Sequence, residues 1–138
     1  MDHISARLHL DEEAVAHLAT VGGDRRPHLV PVTFARDGDT VYFAVDQKPK
    51  RTADLQRLRN IAANPAVALL VDHYDDDWRR LWWARADGTA AVAEFAALRP
   101  DLVDLFAAKY PQYAVTPPEG PAIVIVVERW SGWAFTAS

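Results

Sequence analysis

LATVGGDRRPHLVPVTFARDGDTVYFAV, residues 18–45, is the stretch that decides the fold. From about Ala19 it reads as three strands separated by two turn signals, Gly22-Gly23-Asp24 and Asp37-Gly38-Asp39. Strands joined by such short turns form an antiparallel meander. In the third of them Val41, Phe43 and Val45 alternate with Tyr42, Ala44 and Asp46, so one face packs inward. The second strand carries Pro27 and Pro31, which lack the N–H that a central ladder needs. It is therefore bulged, or it lies at an edge where its backbone can serve a ligand.

Downstream, TVYFAVDQKPKRTADLQRLRNIAAN (residues 40–64) leads from the third strand through a basic loop with Lys48, Lys50 and Arg51 into a helix from about Thr52 to Ala63. Leu55, Leu58 and Ile61 form one stripe of that helix, Arg57 and Asn60 share another, and Asn64-Pro65 ends it. Cationic side chains at a helix N-terminus join free backbone N–H groups and the positive end of the helix dipole. This is the chemistry of a phosphate or carboxylate cradle; the plain alternative is a solvated loop.

The remaining elements follow in order. AVALLVDHY (66–74) is nearly continuously apolar, the pattern of a strand buried on both faces, and LWWARADGTAAVAEF (81–95) is a fifth strand after the acidic turn Asp75-Asp76-Asp77. Pro100 begins a helix whose Leu102, Leu105 and Phe106 face inward and whose last turn reaches Lys109 and Tyr110. Residues 111–121 hold four prolines and read as a surface loop, and AIVIVVERWSGWAF (122–135) is the last strand. Upstream, Asp11 is placed to cap a short helix over Glu12 to Leu18. Six mostly antiparallel strands with short peripheral helices make an α+β protein, and such strands close most easily into a small β-barrel.

With 138 residues, half of them apolar, the chain is expected to be a single domain, 1–138, with a core of its own. It has no cysteine, so disulfides, thiolate nucleophiles and cysteine zinc sites are excluded. MDHISARLHLDEE at the N-terminus lacks an apolar signal core, and the apolar run 122–127 is too short for a bilayer. The expectation is a soluble, cytoplasmic protein without a membrane contact. A net charge of −4 argues against nucleic acid as a partner and leaves anion binding to a local cluster such as the basic loop.

The five histidines, His3, His9, His17, His28 and His73, show no metal-binding spacing, and no serine elbow or nucleotide-binding glycine motif is present. The acidic run 75–77 is a solvated turn sooner than a hydrolase carboxylate pair. Tryptophan is the outlier, at Trp78, Trp82, Trp83, Trp130 and Trp133. Adjacent residues of a strand point to opposite faces, so Trp82 and Trp83 cannot share one core, and one of them must meet a subunit, a ligand or solvent. An anion cradle with excess aromatics and no acid–base constellation fits a protein whose chemistry is carried by a bound cofactor.

The succession LATVGGDRRPHLVPVTF, DGDTVYFAVDQKPK, RLRNIAANPAVALLVDHYDDDW and LWWARADGTAAV resembles the split-barrel flavin and deazaflavin reductases, relatives of pyridoxamine phosphate oxidase, and most of all the actinobacterial branch that uses the deazaflavin coenzyme F-420. The resemblance covers about residues 18–92. It implies a six-stranded split barrel and a homodimer with two cofactor sites at the interface. Val30, Pro31, Val32 and Thr33 would run along the tricyclic ring; Lys50, Arg51, Thr52, Arg57 and Asn60 would hold the phosphate and tail; Trp78, Trp82 and Trp83 from the partner would cover ring or substrate. The basic loop is longer than in many relatives, with Gln47-Lys48-Pro49-Lys50 before the helix. The implied reaction is hydride transfer from reduced F-420 to an unsaturated small-molecule acceptor, with Tyr42, His28 or water as proton donor. The alternatives are an FMN enzyme of the oxidase type and a non-catalytic flavin, deazaflavin or haem carrier. Lys48, Arg57 and Arg59 could meet the acidic tail that distinguishes F-420 from FMN.

Overall fold

The computed structural model describes residues 1–45 and 51–136, and of residues 51–55 the helical backbone alone. Helix α1 spans His3–Asp11, capped by the Asp2 carboxylate, which accepts from the Ser5 N–H at 2.7 Å. The expected helix over residues 12–18 is thus displaced upstream. Asp2 supplies the cap, Ala6 and Leu10 supply the buried stripe one turn apart, and the alternation that makes a strand already begins at Ala16. Asp11 ends α1 instead of starting a helix, and its carboxylate takes a bidentate pair from Arg36 at 2.9 and 2.7 Å.

Seven strands follow: β1 Ala16–Val21, β2 Pro27–Val32, β3 Ala35–Asp37, β4 Thr40–Ala44, β5 Ala66–His73, β6 Trp82–Glu94 and β7 Pro121–Ala134. All pairings are antiparallel, in the order β2-β1-β5-β6-β7-β4-β3. The six strands expected become seven because the second is broken at Thr33 and Phe34, which puts its two halves at opposite edges of the sheet. The sheet is therefore not a closed barrel. Its edges are nonetheless consecutive in sequence, joined by two residues, so the sheet must curl until they meet at one corner. Leu18, Val32, Phe43, Leu69, Ala84 and Ile125, one from each of six strands, accordingly share a single buried core. Each large side chain in it contributes about 1.5–3 kcal/mol by leaving water.

The edge placement of β2 agrees with its two prolines. Strand β5, expected to be buried on both faces, alternates instead: Val67, Leu69 and Val71 face the core, whereas Ala66, Leu70 and Asp72 are exposed in the isolated chain. Helix α2, Arg51–Ala63, lies across β1 and β6 and buries Ile61. Helix α3, Leu102–Lys109, packs Leu102 and Phe106 with Phe95, Ala35 and Ala122 into a second core on the outer side of the β3–β4 corner. The segment expected to be a loop, 111–121, contains one helical turn, α4 (Gln112–Val115), and its last proline opens β7. Among the described residues no helix is long and apolar enough to cross a membrane.

Candidate functional site

The corner where β2 breaks is where the chain's chemistry gathers. Phe34 turns fully into the core, and its backbone N–H, left without a ladder partner, donates to the Tyr110 hydroxyl at 3.0 Å. That hydroxyl donates in turn to the Ala14 carbonyl at 2.7 Å or the Phe34 carbonyl at 3.1 Å. Tyr110 thereby seals the split between the two sheet edges, and burial pushes its phenol up to about 12. Next to it the Lys109 ammonium sits 3.4 Å from the centre of the Phe34 ring, and burial pulls its amine down to about 8.

Beside this seal opens a hollow of about 520 Å3, in the size range of small-molecule sites, lined by Thr33, Ala44, Val45, Tyr110, Gln112, Tyr113, Thr116, Pro117, Pro118 and Glu119. Thr33 directly follows β2, and Val45 directly follows β4, before the basic loop in sequence. The opposite wall is α4 and the turn after it. Tyr113 is fixed edge-on against both Phe106 and Tyr110, with ring centres 5.5 and 5.7 Å away, and its hydroxyl lies 3.0 Å from the Thr33 hydroxyl.

The sequence-predicted residues fall into three groups. Val30, Pro31, Val32 and Thr33 are the last turn-ward residues of edge strand β2 and its exit: Val30 and Val32 face the core, Pro31 is exposed, and Thr33 reaches the hollow. Lys48 and Lys50 lie outside the described residues, and Arg51 and Thr52 are the first two residues of α2, described as backbone alone. Arg57 and Asn60 are buried on α2. Asn60 donates to Thr20 at 3.1 Å and accepts from Gln56 at 2.7 Å, and its amide fills the space where a side chain at Gly22 would stand. It ties α2 to β1.

The tryptophans divide as their spacing requires. Trp82 is buried at 8 % exposure, edge-on to His9 at 4.8 Å and parallel to His73 at 6.2 Å. Trp83 stands on the outer face under Arg85, 5.8 Å away, beside a shallow groove formed with Leu70, Asp72 and Tyr74. Trp78 is largely exposed in a single 3-10 turn held by Asp77. Of the proton-donor candidates, Tyr42 points outward into the second core and His28 stands opposite Thr20; neither lines the hollow.

Tyr113 and Glu119 lie in the segment that four prolines marked as a surface loop, and Tyr110 was expected only as the last turn of the preceding helix.

A family model described as pyridoxamine 5'-phosphate oxidase matches residues 3–134. No curated protein matches the chain. Similar solved structures include the conserved hypothetical protein Rv2991 of Mycobacterium tuberculosis, 18% identical with a TM-score of 0.69, covering 98% of this chain and 86% of that one. A FAD-binding protein from Mesorhizobium loti is 17% identical with a TM-score of 0.67, covering 96% and 92%. HutZ, the heme storage protein of Vibrio cholerae, is 13% identical with a TM-score of 0.68, covering 97% and 95%. At these identities the likeness is one of fold.

Proposed function

The chain belongs to the pyridoxamine 5'-phosphate oxidase family, and from that footing we propose that it is an oxidoreductase that uses reduced coenzyme F-420, with FMN as the alternative, to transfer hydride to an unsaturated small molecule. The observation that carries this reading is convergence. Thr33, at the end of the ring-binding strand, and Val45, from which the chain passes into the phosphate-binding loop, line one hollow of about 520 Å3. An aromatic and proline-rich wall suits a flat ring, and the N-terminus of the 13-residue helix α2 suits its phosphate.

In this reading edge strand β2, paired on one side only, offers backbone groups of Val30 to Thr33 to the ring. Lys50, Arg51 and Thr52 hold the phosphate, Lys48, Arg57 and Arg59 favour the acidic tail of F-420, and Asn60 keeps α2 in place from behind. Trp78 and Trp83, two outward-facing tryptophans, cover the ring from a second copy, while Trp82 supports them from within. The bound ring supplies the hydride and its electron pair. The chain's own task is to orient the acceptor at near-attack distance and to keep water out. The fold shared with a FAD-binding protein supports a flavin-type ring.

The test is a fluorescence titration of the purified chain with F-420 and FMN in parallel. Tight binding of F-420, and oxidation of the separately reduced coenzyme by the chain in the presence of an enone, is the expected result, and binding of neither cofactor would sink the proposal. Replacing Lys50 and Arg51 together with alanine should weaken binding by roughly 3–6 kcal/mol, two charge-assisted phosphate contacts, with the fold intact by circular dichroism.

A further inference from the structure

We propose that the half-buried Lys109 amine, seated on the Phe34 ring beside the seal of the sheet edges, is a covalent site for small uncharged aldehydes, which it takes up as imines.

Lysine is scarce in this chain. Lys48 and Lys50 stand in the basic loop, and Lys109 at the end of α3 is the third and last. Its Nζ atom lies 3.4 Å from the centre of the Phe34 ring and 5.5 Å from that of Tyr110. Among the described residues it has no hydrogen bond and no ion pair. The neighbouring carboxylates are engaged elsewhere. Asp11 accepts from the Arg36 guanidinium at 2.9 and 2.7 Å, and Glu13 lies 3.2 Å from the His73 ring nitrogen.

An ammonium carries three N–H donors, and burying it without acceptors penalises the charged form. The aromatic faces offset only part of that penalty. Nor do the surrounding charges, Asp11 and Glu13 against Arg36, cancel it: burial pulls the amine down to about 8. At about pH 7.5 roughly one such amine in four is uncharged, against roughly one in a thousand for a lysine titrating near 10.4.

The ring also directs the nucleophile. Its face is the negative pole of the aromatic quadrupole, so a neutral amine above it turns N–H bonds toward the ring and its lone pair away. The lone pair of Lys109 therefore points off Phe34, from a side chain that is only half-buried. Charge defines the electrophile. An anionic one would approach two carboxylates and a guanidinium that is already paired, whereas an uncharged aldehyde meets no such cost. The imine is a weaker base than the amine, so the adduct also relieves the buried charge.

The step needs no oxidant or reductant. The nitrogen lone pair attacks the carbonyl carbon, and the C–N bond forms. The carbonyl π pair moves to oxygen, which takes up a proton as nitrogen releases one, giving the carbinolamine. The nitrogen pair then forms the C=N bond while the C–O bond breaks. The hydroxyl leaves with a proton as water, and nitrogen gives up its second proton.

Formaldehyde is the probe, with cyanoborohydride to reduce each imine as it forms and mass spectrometry of the digested chain to locate the methyl groups. On the folded wild type at about pH 7.5, Lys109 should be methylated at least tenfold faster than Lys48 or Lys50. In denaturing urea the three should react within about twofold of one another, since all then titrate alike. Glyoxylate, an anionic aldehyde, should show less than half the lead that formaldehyde shows at Lys109. A folded-state rate at Lys109 no greater than at Lys48 and Lys50 would overturn the proposal, and so would a lead that persists in urea. An equal lead with glyoxylate would overturn the choice of an uncharged class.

Discussion

Tyr110 shows how one side chain closes a fold that hydrogen-bonded ladders leave open. Its hydroxyl serves a buried donor and a buried acceptor at the place where the sheet edges meet. Tyr110→Phe keeps the ring and strands the Phe34 N–H, so urea unfolding should show a loss of about 1–3 kcal/mol; a loss below about 0.5 kcal/mol would mean that water takes over the role. The neighbouring Lys109 gives a pH signature of definite sign. Its amine is held near 8 when folded, by burial first, with Arg36 adding to the shift and Asp11 and Glu13 opposing it. Unfolded, it titrates near 10.4. Between those values the unfolded chain binds more protons, so this group makes stability rise with pH from about 8 to about 10.5. Lys109→Met removes the rise: the variant should gain on the wild type below pH 8, and the gain should shrink as pH approaches 10. Unfolding midpoints that differ by a constant amount across this range would refute the assignment. None of this was legible in the sequence, where Lys109 and Tyr110 were the last turn of a helix, because the partners they share at Phe34 lie in a distant part of the chain.

At the scale of elements, periodicity located the strands well and their breaks poorly. Residues 27–37 alternate well enough to read as one strand, and the interruption at Thr33 and Phe34 carries no glycine or proline to announce it. The break exists because Phe34 gains more by turning into the core than the ladder gains by continuing. The same limit appears in β7. Its pairing with β6 shifts at Asp87/Gly88, so that Glu128 is left over and both Val127 and Trp130 face inward although they are three residues apart. Such a bulge bends the long β6–β7 ribbon and lets the sheet curl. Gly88 makes it possible, since a Cβ there would run into the Val126 carbonyl. Gly88→Val should therefore destabilise the fold by roughly 1–3 kcal/mol, as overpacking against backbone does. Thermal unfolding is the check: an unchanged midpoint would show that the bulge tolerates a side chain and that the curl has another origin.

For the whole molecule, the unfinished surface is the outer face of β2, β1, β5 and β6 with the end of β7. Leu29 at 66 %, Leu70 at 37 % and Trp133 at 43 % exposure lie on it, with Trp83 paired across strands to Trp133. A monomer rarely leaves so many large apolar groups on one sheet face. The apolar run of β5, which reads in sequence as burial on both faces, has the same cause if a second copy covers this side. The sequence marked the problem through Trp82 and Trp83 without marking the solution, because a partner lies outside one chain's periodicity. The homodimer proposed here makes one experiment decisive. The wild type should sediment as a dimer at micromolar concentration, and Leu70→Glu, which buries a carboxylate against its symmetry-related surroundings, should sediment as a monomer with unchanged circular dichroism. If Trp78 and Trp83 cover the ring from the second copy, the monomeric variant should also lose at least tenfold in cofactor affinity. A wild-type monomer would remove the interface site altogether. A Leu70→Glu monomer that binds cofactor as well as the wild type would confine the site to the Thr33, Val45 and Tyr113 hollow of a single chain.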